Sequence, residues 1–138
     1  MPVLLIEKQT PQITVVTLNR PERRNALTIE LLTELVAAIK VASDVPHERI
    51  IILRGAGAAF CTGMDLKAAT PQNAHAMAEL VGKTLLTLSQ THLITIAAVH
   101  GAAVAGGAGI MSACDFVVAA EGTKIGRASC RERVCWIV

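Results

Sequence analysis

Three short apolar runs constrain the fold of this chain most strongly, because segments with helical periodicity separate them. The runs cover residues 50–53, 94–99 and 116–120, and each consists of consecutive apolar side chains with little polar interruption. Such runs are typical of strands buried on both faces of a parallel sheet. Strands that alternate with helices are joined by right-handed crossovers, so the sequence predicts an α/β fold built on a parallel sheet.

The remaining segments predict two long helices and an N-terminal hairpin. Residues 28–42 place Leu31, Leu35 and Ile39 at helical spacing, and Thr28 is a suitable N-cap. A second helix is predicted to begin at the Thr-Pro pair of residues 70–71 and to run to about residue 89. Residues 3–6 and 13–18 are rich in β-forming side chains around a connector with a proline, which indicates a hairpin.

Composition and charge exclude several classes of protein. Hydrophobic residues make up 52% of the 138 residues, but the longest apolar stretch, 94–111, contains His100 and four glycines. We therefore expect no membrane span. The net charge of +2 comes from arginines in the last dozen residues, so no nucleic-acid partner is expected. The N-terminus shows no secretory signal, which predicts a cytoplasmic protein with reduced Cys61 and Cys114.

A charged turn, Asn-Arg-Pro-Glu-Arg-Arg-Asn-Ala-Leu at 19–27, follows the hairpin. It is either a solvated connector or, with three arginines in five residues, a phosphate contact. A second segment, Ala-Phe-Cys-Thr-Gly-Met-Asp-Leu-Lys at 59–67, follows the strand at 50–53. Loops at the carboxyl ends of parallel strands are where α/β folds place ligands, although an ordinary turn would have a similar sequence.

The third segment is the glycine-rich stretch 100–109, His-Gly-Ala-Ala-Val-Ala-Gly-Gly-Ala-Gly. Glycines that open a helix expose free backbone N–H groups at its positive end, which suits a phosphate or a developing oxyanion. The glycine spacing does not match a dinucleotide-binding fingerprint. His100, at the end of an apolar strand, is expected to be structural.

In order and spacing, these segments together resemble the crotonase family, also called the enoyl-CoA hydratase/isomerase family. The resemblance covers about residues 3–126 and includes the later segment Cys-Asp-Phe-Val-Val-Ala-Ala-Glu-Gly-Thr-Lys-Ile-Gly at 114–126. It implies a spiral of repeated ββα units, here truncated, with residues 1–126 as the N-terminal part of the core domain. It also implies an acyl-CoA substrate and a homotrimer or hexamer. Coenzyme A is then part of the substrate, and no separate cofactor or metal is expected.

Carried over residue by residue, the resemblance assigns the two backbone amides that hold the thioester enolate to Met64 and Gly106. Fixed, uncharged donors of this kind favour the enolate over the ground-state carbonyl. In the family, backbone groups contact the adenine and basic side chains face the phosphates of CoA. The positions that match these CoA contacts are Arg23, Arg24, Ala26, Thr62, Asp65, Leu66 and Lys67.

Two departures from the family pattern bear on the reaction. Many hydratases carry a glutamate three residues after the oxyanion glycine, and that position is Gly109 here. The second catalytic glutamate would fall near Ser129, where the chain reads Arg-Ala-Ser-Cys-Arg-Glu-Arg-Val. From about Ile125 this stretch matches one reading frame of a common sequencing adapter. Residues 127–138 are therefore expected to be a non-native tail, and the 138-residue chain by itself is expected to be inactive.

The resemblance most favours an enzyme that adds water across an α,β-unsaturated acyl-CoA, with a glutamate beyond this chain moving the proton. Isomerisation of an enoyl-CoA double bond needs the same amide pair and a differently placed base. A non-catalytic acyl-CoA binder is the alternative from another class, because no carboxylate is visible in the site.

Overall fold

The structure, a computed structural model, describes residues 1–126. A short 3-10 helix, Pro21–Arg23, follows the first two strands. The strands and helices of this part of the chain are, in order, β1 Leu4–Thr10, β2 Ile13–Leu18, α1 Ile29–Asp44, β3 Ile50–Gly55, α2 Ala74–Gln90, β4 Ile94–Val99, β5 Ala102–Val104, α3 Gly106–Ala113, β6 Phe116–Ala119 and β7 Lys124–Gly126.

Five strands form one sheet in the order β1-β2-β3-β4-β6. Strands β1 and β2 are the predicted antiparallel hairpin, and β2, β3, β4 and β6 are parallel, as predicted. Because parallel strands end at one edge, the segments that follow β2, β3 and β4 meet there. Strands β5 and β7 form a separate parallel pair. Isolated bridges between Leu27 and Met64 and between Cys61 and Ala103 tie the three segments together.

Helices α1 and α2 differ from their predicted bounds at one end each. The Thr28 side chain caps α1 as predicted, accepting from the Leu31 amide at 3.2 Å, and the helix runs two residues further than expected, to Asp44. Helix α2 begins at Ala74, because residues 70–73 form a separate turn. In that turn the Asn73 amide donates to the Thr70 hydroxyl, and the Thr70 amide donates to the Asn73 side chain.

The expectation of strands buried on both faces is wrong for one face of the sheet. In β3, Ile51 and Leu53 are buried beneath the helices, whereas Ile50 and Ile52 are half-buried. In β6 the side chain of Phe116 is 61% exposed. The reason is that α1 and α2 pack on the same side of the sheet. None of the helices in residues 1–126 combines the length and apolar character of a membrane span.

Candidate active site

The charged turn after β2 is held in place by Asn25, which is fully buried. Its side-chain amide donates to the carbonyl oxygens of Ala56 and Ala59, each at 2.9 Å, and its side-chain oxygen accepts from the Arg20 amide at 2.8 Å. Both Arg24 and Asn25 have left-handed backbones, with φ of 51° and 57°. Asparagine tolerates that conformation better than most residues. The turn is therefore locked against the loop after β3.

A largely buried ion pair joins the same turn to the end of the second segment. The Arg20 guanidinium lies 3.1 Å from the Asp65 carboxylate and also donates to the Ala26 carbonyl at 2.5 Å. The other Asp65 oxygen accepts from the amides of Lys67 and Ala68. The hydrogen bond from Arg20, which outweighs the effect of burial, holds the pKa of the Asp65 carboxyl below its usual value. This carboxylate is thus committed to protein partners as an anion.

The two segments lie side by side along their backbones. The Leu27 amide donates to the Gly63 carbonyl at 2.7 Å, and the Asp65 amide donates to the Leu27 carbonyl at 2.9 Å. The Thr62 hydroxyl donates to the Arg24 carbonyl at 3.3 Å. These bonds place residues 24–27 directly against residues 62–65.

Cys61 supports this junction rather than reacting in it. Its thiol donates to the Asn25 carbonyl at 3.2 Å and is fully buried. Burial raises the pKa of Cys61 to about 11, and burial raises that of Cys114 to about 11 as well. Both cysteines are free, as predicted. A neutral, buried thiol is a poor nucleophile.

The glycine-rich stretch packs onto the same loop. The Cys61 amide donates to the Ala102 carbonyl at 3.2 Å, and the Val104 amide donates to the Cys61 carbonyl at 3.1 Å. The His100 ring lies 2.6 Å from the Gly57 carbonyl oxygen, which agrees with the structural role expected for His100. Helix α3 then begins at Gly106, so the positive end of the helix faces the loop.

At this junction the amides of Met64 and Gly106 come close together. A β-carbon built on Gly106 would lie 3.9 Å from the Met64 nitrogen, and one built on Gly63 would lie 3.1 Å from the Gly106 nitrogen. Within residues 1–126, neither amide donates to a protein acceptor. Two such donors at a helix N-terminus can together bind an oxygen that carries negative charge.

A cavity of about 520 Å³ lies between α2 and α3, and Ala105, the residue before Gly106, is among the residues that line it. The described residues that line it carry no carboxylate, and they are Leu85, Ala105, Ala108, Gly109, Ser112 and Ala113. A β-carbon on Gly109 would only touch Leu85, at 3.7 Å. The Ser112 hydroxyl donates back to the Ala108 carbonyl at 2.7 Å. The cavity is therefore suited to an apolar group, and position 109 has room for a side chain.

The residues matched to CoA contacts lie along the paired segments 23–26 and 62–67. Arg23, Arg24 and Lys67 are exposed and form no ion pair within the described part of the chain. Leu66 is 84% exposed, whereas Ala26 and Thr62 are half-buried. The predicted residues are thus brought together, apart from the Asp65 carboxylate, which is turned into the protein. Their contact with CoA stays a prediction.

Sequence reasoning missed Asn25 and Arg20, the residues that hold these segments together. Both lie in the charged turn, for which the sequence predicts either a solvated connector or a phosphate contact by its arginines. The signal that was available was the asparagine immediately before an apolar Ala-Leu pair, since asparagine is a residue that adopts left-handed turns.

A glycine-rich stretch packed on the loop after β3 at the carboxyl edge of a parallel sheet, with two backbone amides close together, is the arrangement of the crotonase fold. The chain belongs to the enoyl-CoA hydratase/isomerase family, whose family model matches residues 8–131. The prediction of the family and of its α/β fold is confirmed.

Individual relatives agree with this assignment. An enoyl-CoA hydratase of Mycobacterium tuberculosis is 39% identical over 131 residues, covering 91% of this chain and 49% of the relative. The crystal structure of an enoyl-CoA hydratase from Bacillus anthracis superposes with a TM-score of 0.86 at 31% identity, covering 91% of this chain and 50% of that one. A monofunctional enoyl-CoA isomerase from M. smegmatis gives 0.76 at 30% identity, covering 91% and 53%.

The chain thus spans about half the length of the relatives it matches. The predicted division into a core at 1–126 and a non-native tail at 127–138 places the tail outside the described residues. The family match itself runs to residue 131. The division stays a prediction.

Proposed function

We propose that the whole protein adds water across the double bond of an α,β-unsaturated acyl-CoA, with the amides of Met64 and Gly106 holding the thioester oxygen. The observation that carries the proposal is the closeness of these two amides, which have no acceptor among residues 1–126. Membership in the enoyl-CoA hydratase/isomerase family supports the same chemistry.

The physical basis is differential binding of the transition state. As water adds to the β-carbon, negative charge moves onto the thioester oxygen, and hydrogen bonds to that oxygen become stronger. The two donors are backbone groups that need no reorganisation, and the positive end of α3 adds to the field. Each such donor contributes about 3 kcal/mol to the barrier reduction.

The proton is moved by a group outside residues 1–126 in this proposal. Water supplies a hydroxyl to the β-carbon and a proton to the α-carbon, so at least one acid/base group is required. Within the described residues, Asp65 is committed to Arg20 and position 109 is a glycine. We assign one carboxylate, from the remaining length of the protein, to both proton transfers: it takes the proton from water and delivers a proton to the α-carbon.

The CoA part of the substrate is proposed to lie along residues 23–26 and 62–67. Arg23, Arg24 and Lys67 would face its phosphates, and the exposed Leu66 would be covered by its adenine, with Ala26 and Thr62 contributing backbone contacts. The acyl group would enter the cavity beside Gly109. No separate cofactor is required. A homotrimer or hexamer and a cytoplasmic location stay predictions.

Isomerisation of an enoyl-CoA double bond is the second candidate, favoured by the glycine at position 109. Without a carboxylate there, one acid/base group remains to shuttle a proton between two carbons. An enoyl-CoA isomerase is among the structural relatives at a TM-score of 0.76.

A substrate panel tests these alternatives with the whole protein. The expected result is hydration of a short 2-enoyl-CoA, measured as the loss of absorbance of the conjugated thioester. Conversion of a 3-enoyl-CoA into its 2-enoyl isomer without hydration would select the isomerase instead. Tight acyl-CoA binding with turnover of neither substrate would select the binder and overturn both enzymatic proposals.

A further inference from the structure

Ala105, the residue immediately before Gly106, has an unusual backbone conformation. Its φ is 52° and its ψ is −123°, a region in which a side chain is strained. Glycine would adopt it freely, and glycine occupies four other positions of the stretch 101–109. Strain of this kind persists only where surrounding contacts enforce it. The presence of alanine instead of glycine at this position indicates that the methyl group has a structural or functional role.

The methyl group of Ala105 lies against Gly63 of the facing loop. A β-carbon built on Gly63 would lie 2.9 Å from the Ala105 β-carbon, closer than real β-carbons approach, and 3.1 Å from the Gly106 nitrogen. Gly63 has its own left-handed backbone, with φ of 95°. Two β-carbons therefore do not fit at this contact, and one of the two residues must be a glycine.

Both residues are anchored on their other sides. The Ala105 amide donates to the Gly126 carbonyl at 2.9 Å, and its carbonyl accepts from Gly109 at 3.1 Å. The Gly63 carbonyl accepts from the Leu27 amide at 2.7 Å. Gly63 and Ala105 directly precede Met64 and Gly106, so a change at their contact would also displace the two amides.

We propose that Gly63 and Ala105 form a steric spacer that positions the amides of Met64 and Gly106. They are positioning residues, since they act through the neighbouring amides, and their effect on turnover rests on the function proposed above. The strain at Ala105 is retained because the methyl group keeps the start of α3 at a fixed distance from the loop.

If the spacer exists, Ala105→Gly should affect stability and turnover in different ways. Ala105→Gly relieves the strained backbone and removes the spacer, so the free energy of unfolding stays unchanged or rises while kcat falls about tenfold. Gly63→Ala forces the two segments apart and lowers kcat about 100-fold. In both variants KM for the acyl-CoA changes less than kcat, because the loss is specific to the transition state.

A double-mutant cycle tests the contact directly. In Gly63→Ala/Ala105→Gly the 2.9 Å clash is gone, so kcat recovers above that of Gly63→Ala alone. Gly122→Ala is the matched control, because Gly122 also has a left-handed φ, of 82°, but nothing lies within 4 Å of its β-carbon position. It measures the backbone cost without the contact, and its kcat should equal that of the wild type.

Crystal structures of the variants provide a second readout that does not need turnover. The separation of the Met64 and Gly106 nitrogens should change in Ala105→Gly and Gly63→Ala, and return toward the wild-type value in the double variant. Strictly additive effects on kcat, or an unchanged separation in both single variants, would overturn the proposal. A wild type without hydration would refute the proposed function alone, since the nitrogen separation still tests the spacer. If Gly63→Ala does not fold, Ala105→Gly carries the test by itself.

Discussion

The Arg20 guanidinium and the Asp65 carboxylate meet at 3.1 Å, although 45 residues separate them in the chain. This ion pair joins the charged turn after β2 to the loop that carries Met64. Only 16% of the Arg20 side chain and 9% of the Asp65 side chain are exposed. Breaking a largely buried pair costs more than breaking a surface pair, because the remaining charge loses its partner.

Asp65 should therefore make folding stability depend on pH in the acidic range. Its pKa is lowered in the folded state, chiefly by the bond from Arg20. The unfolded chain binds the proton more readily, so the stabilisation is present above the unfolded pKa of about 3.9 and is lost as pH falls through the folded pKa. Asp65→Asn should lower the free energy of unfolding by about 1.5–3 kcal/mol at neutral pH.

Denaturant unfolding from about pH 6 to about pH 2 measures this difference between wild type and variant. The difference in free energy of unfolding between wild type and Asp65→Asn should become smaller as the pH falls. Glu7→Gln is the control, because Glu7 pairs with Arg54 at the surface, where both side chains are at least half exposed. A difference in free energy of unfolding between wild type and Asp65→Asn that stays constant with pH would show that Asp65 does not carry this pH dependence.

Asn25 should be a residue on which the fold of the site depends. Asn25→Gly keeps the left-handed backbone but removes three hydrogen bonds and leaves the carbonyls of Ala56 and Ala59 without their donor. We expect a loss of about 2–4 kcal/mol in the free energy of unfolding. His47→Gly is the matched control at another left-handed residue, exposed and with φ of 70°. Equal stability of the two variants would show that the Asn25 side chain contributes little.

Asn25 and Arg20 show which contacts could not be predicted from sequence patterns. The parallel sheet, the hairpin and the Thr28 cap follow from apolar periodicity and local hydrogen bonding, and they were predicted. The family motifs were recognised from residue spacing alone. The bonds of Asn25 to residues 31 and 34 positions away, and of Arg20 to Asp65, depend on how distant segments pack. The strained backbone of Ala105 likewise lies against Gly63, 42 residues earlier, and no local sequence signal encodes it.

Lys67 should contribute to CoA affinity through a charge-assisted contact with a phosphate. Lys67→Ala is expected to raise the Kd for CoA about tenfold at low salt, and the effect should shrink as salt screens the exposed charge. Lys83→Ala removes another exposed lysine, on α2, and should leave the Kd unchanged. Calorimetric titration with CoA checks both. An identical Kd for wild type and Lys67→Ala at low salt would remove Lys67 from the site.

Gly109 should control which acyl groups fit the cavity between α2 and α3. The side chain of Gly109→Leu would fill part of the cavity between Gly109 and Leu85. Turnover of longer acyl chains should therefore fall at least tenfold, while CoA affinity stays constant. Gly82→Leu is the matched control, a glycine on α2 with nothing near its β-carbon position. Both variants should gain helix stability of up to about 1 kcal/mol. Unchanged chain-length preference in Gly109→Leu would place the acyl group elsewhere.

Substitution of the three glycines of α3 should affect stability to very different extents, because the three face different neighbours. A side chain on Gly107 would overlap the Cys61 carbonyl, so Gly107→Ala should destabilise the fold. A side chain on Gly106 would meet only the flexible end of Leu27 within 3.4 Å. Thermal unfolding should therefore rank Gly107→Ala well below Gly106→Ala and Gly109→Ala in Tm. Equal Tm values for all three would contradict the packing described here.

In the proposed mechanism the Gly106 amide binds the thioester oxygen, and Gly106→Pro tests this role by removing the N–H. Gly106 is the first residue of α3, a position at which helices tolerate proline. Gly106→Ala adds a side chain but keeps the amide, and circular dichroism with CoA binding verifies that both variants are folded. Steady-state hydration of a short 2-enoyl-CoA by the whole protein should show kcat reduced about 100-fold or more in Gly106→Pro and far less in Gly106→Ala. A folded Gly106→Pro with near wild-type kcat would show that the Gly106 amide does not bind the thioester oxygen.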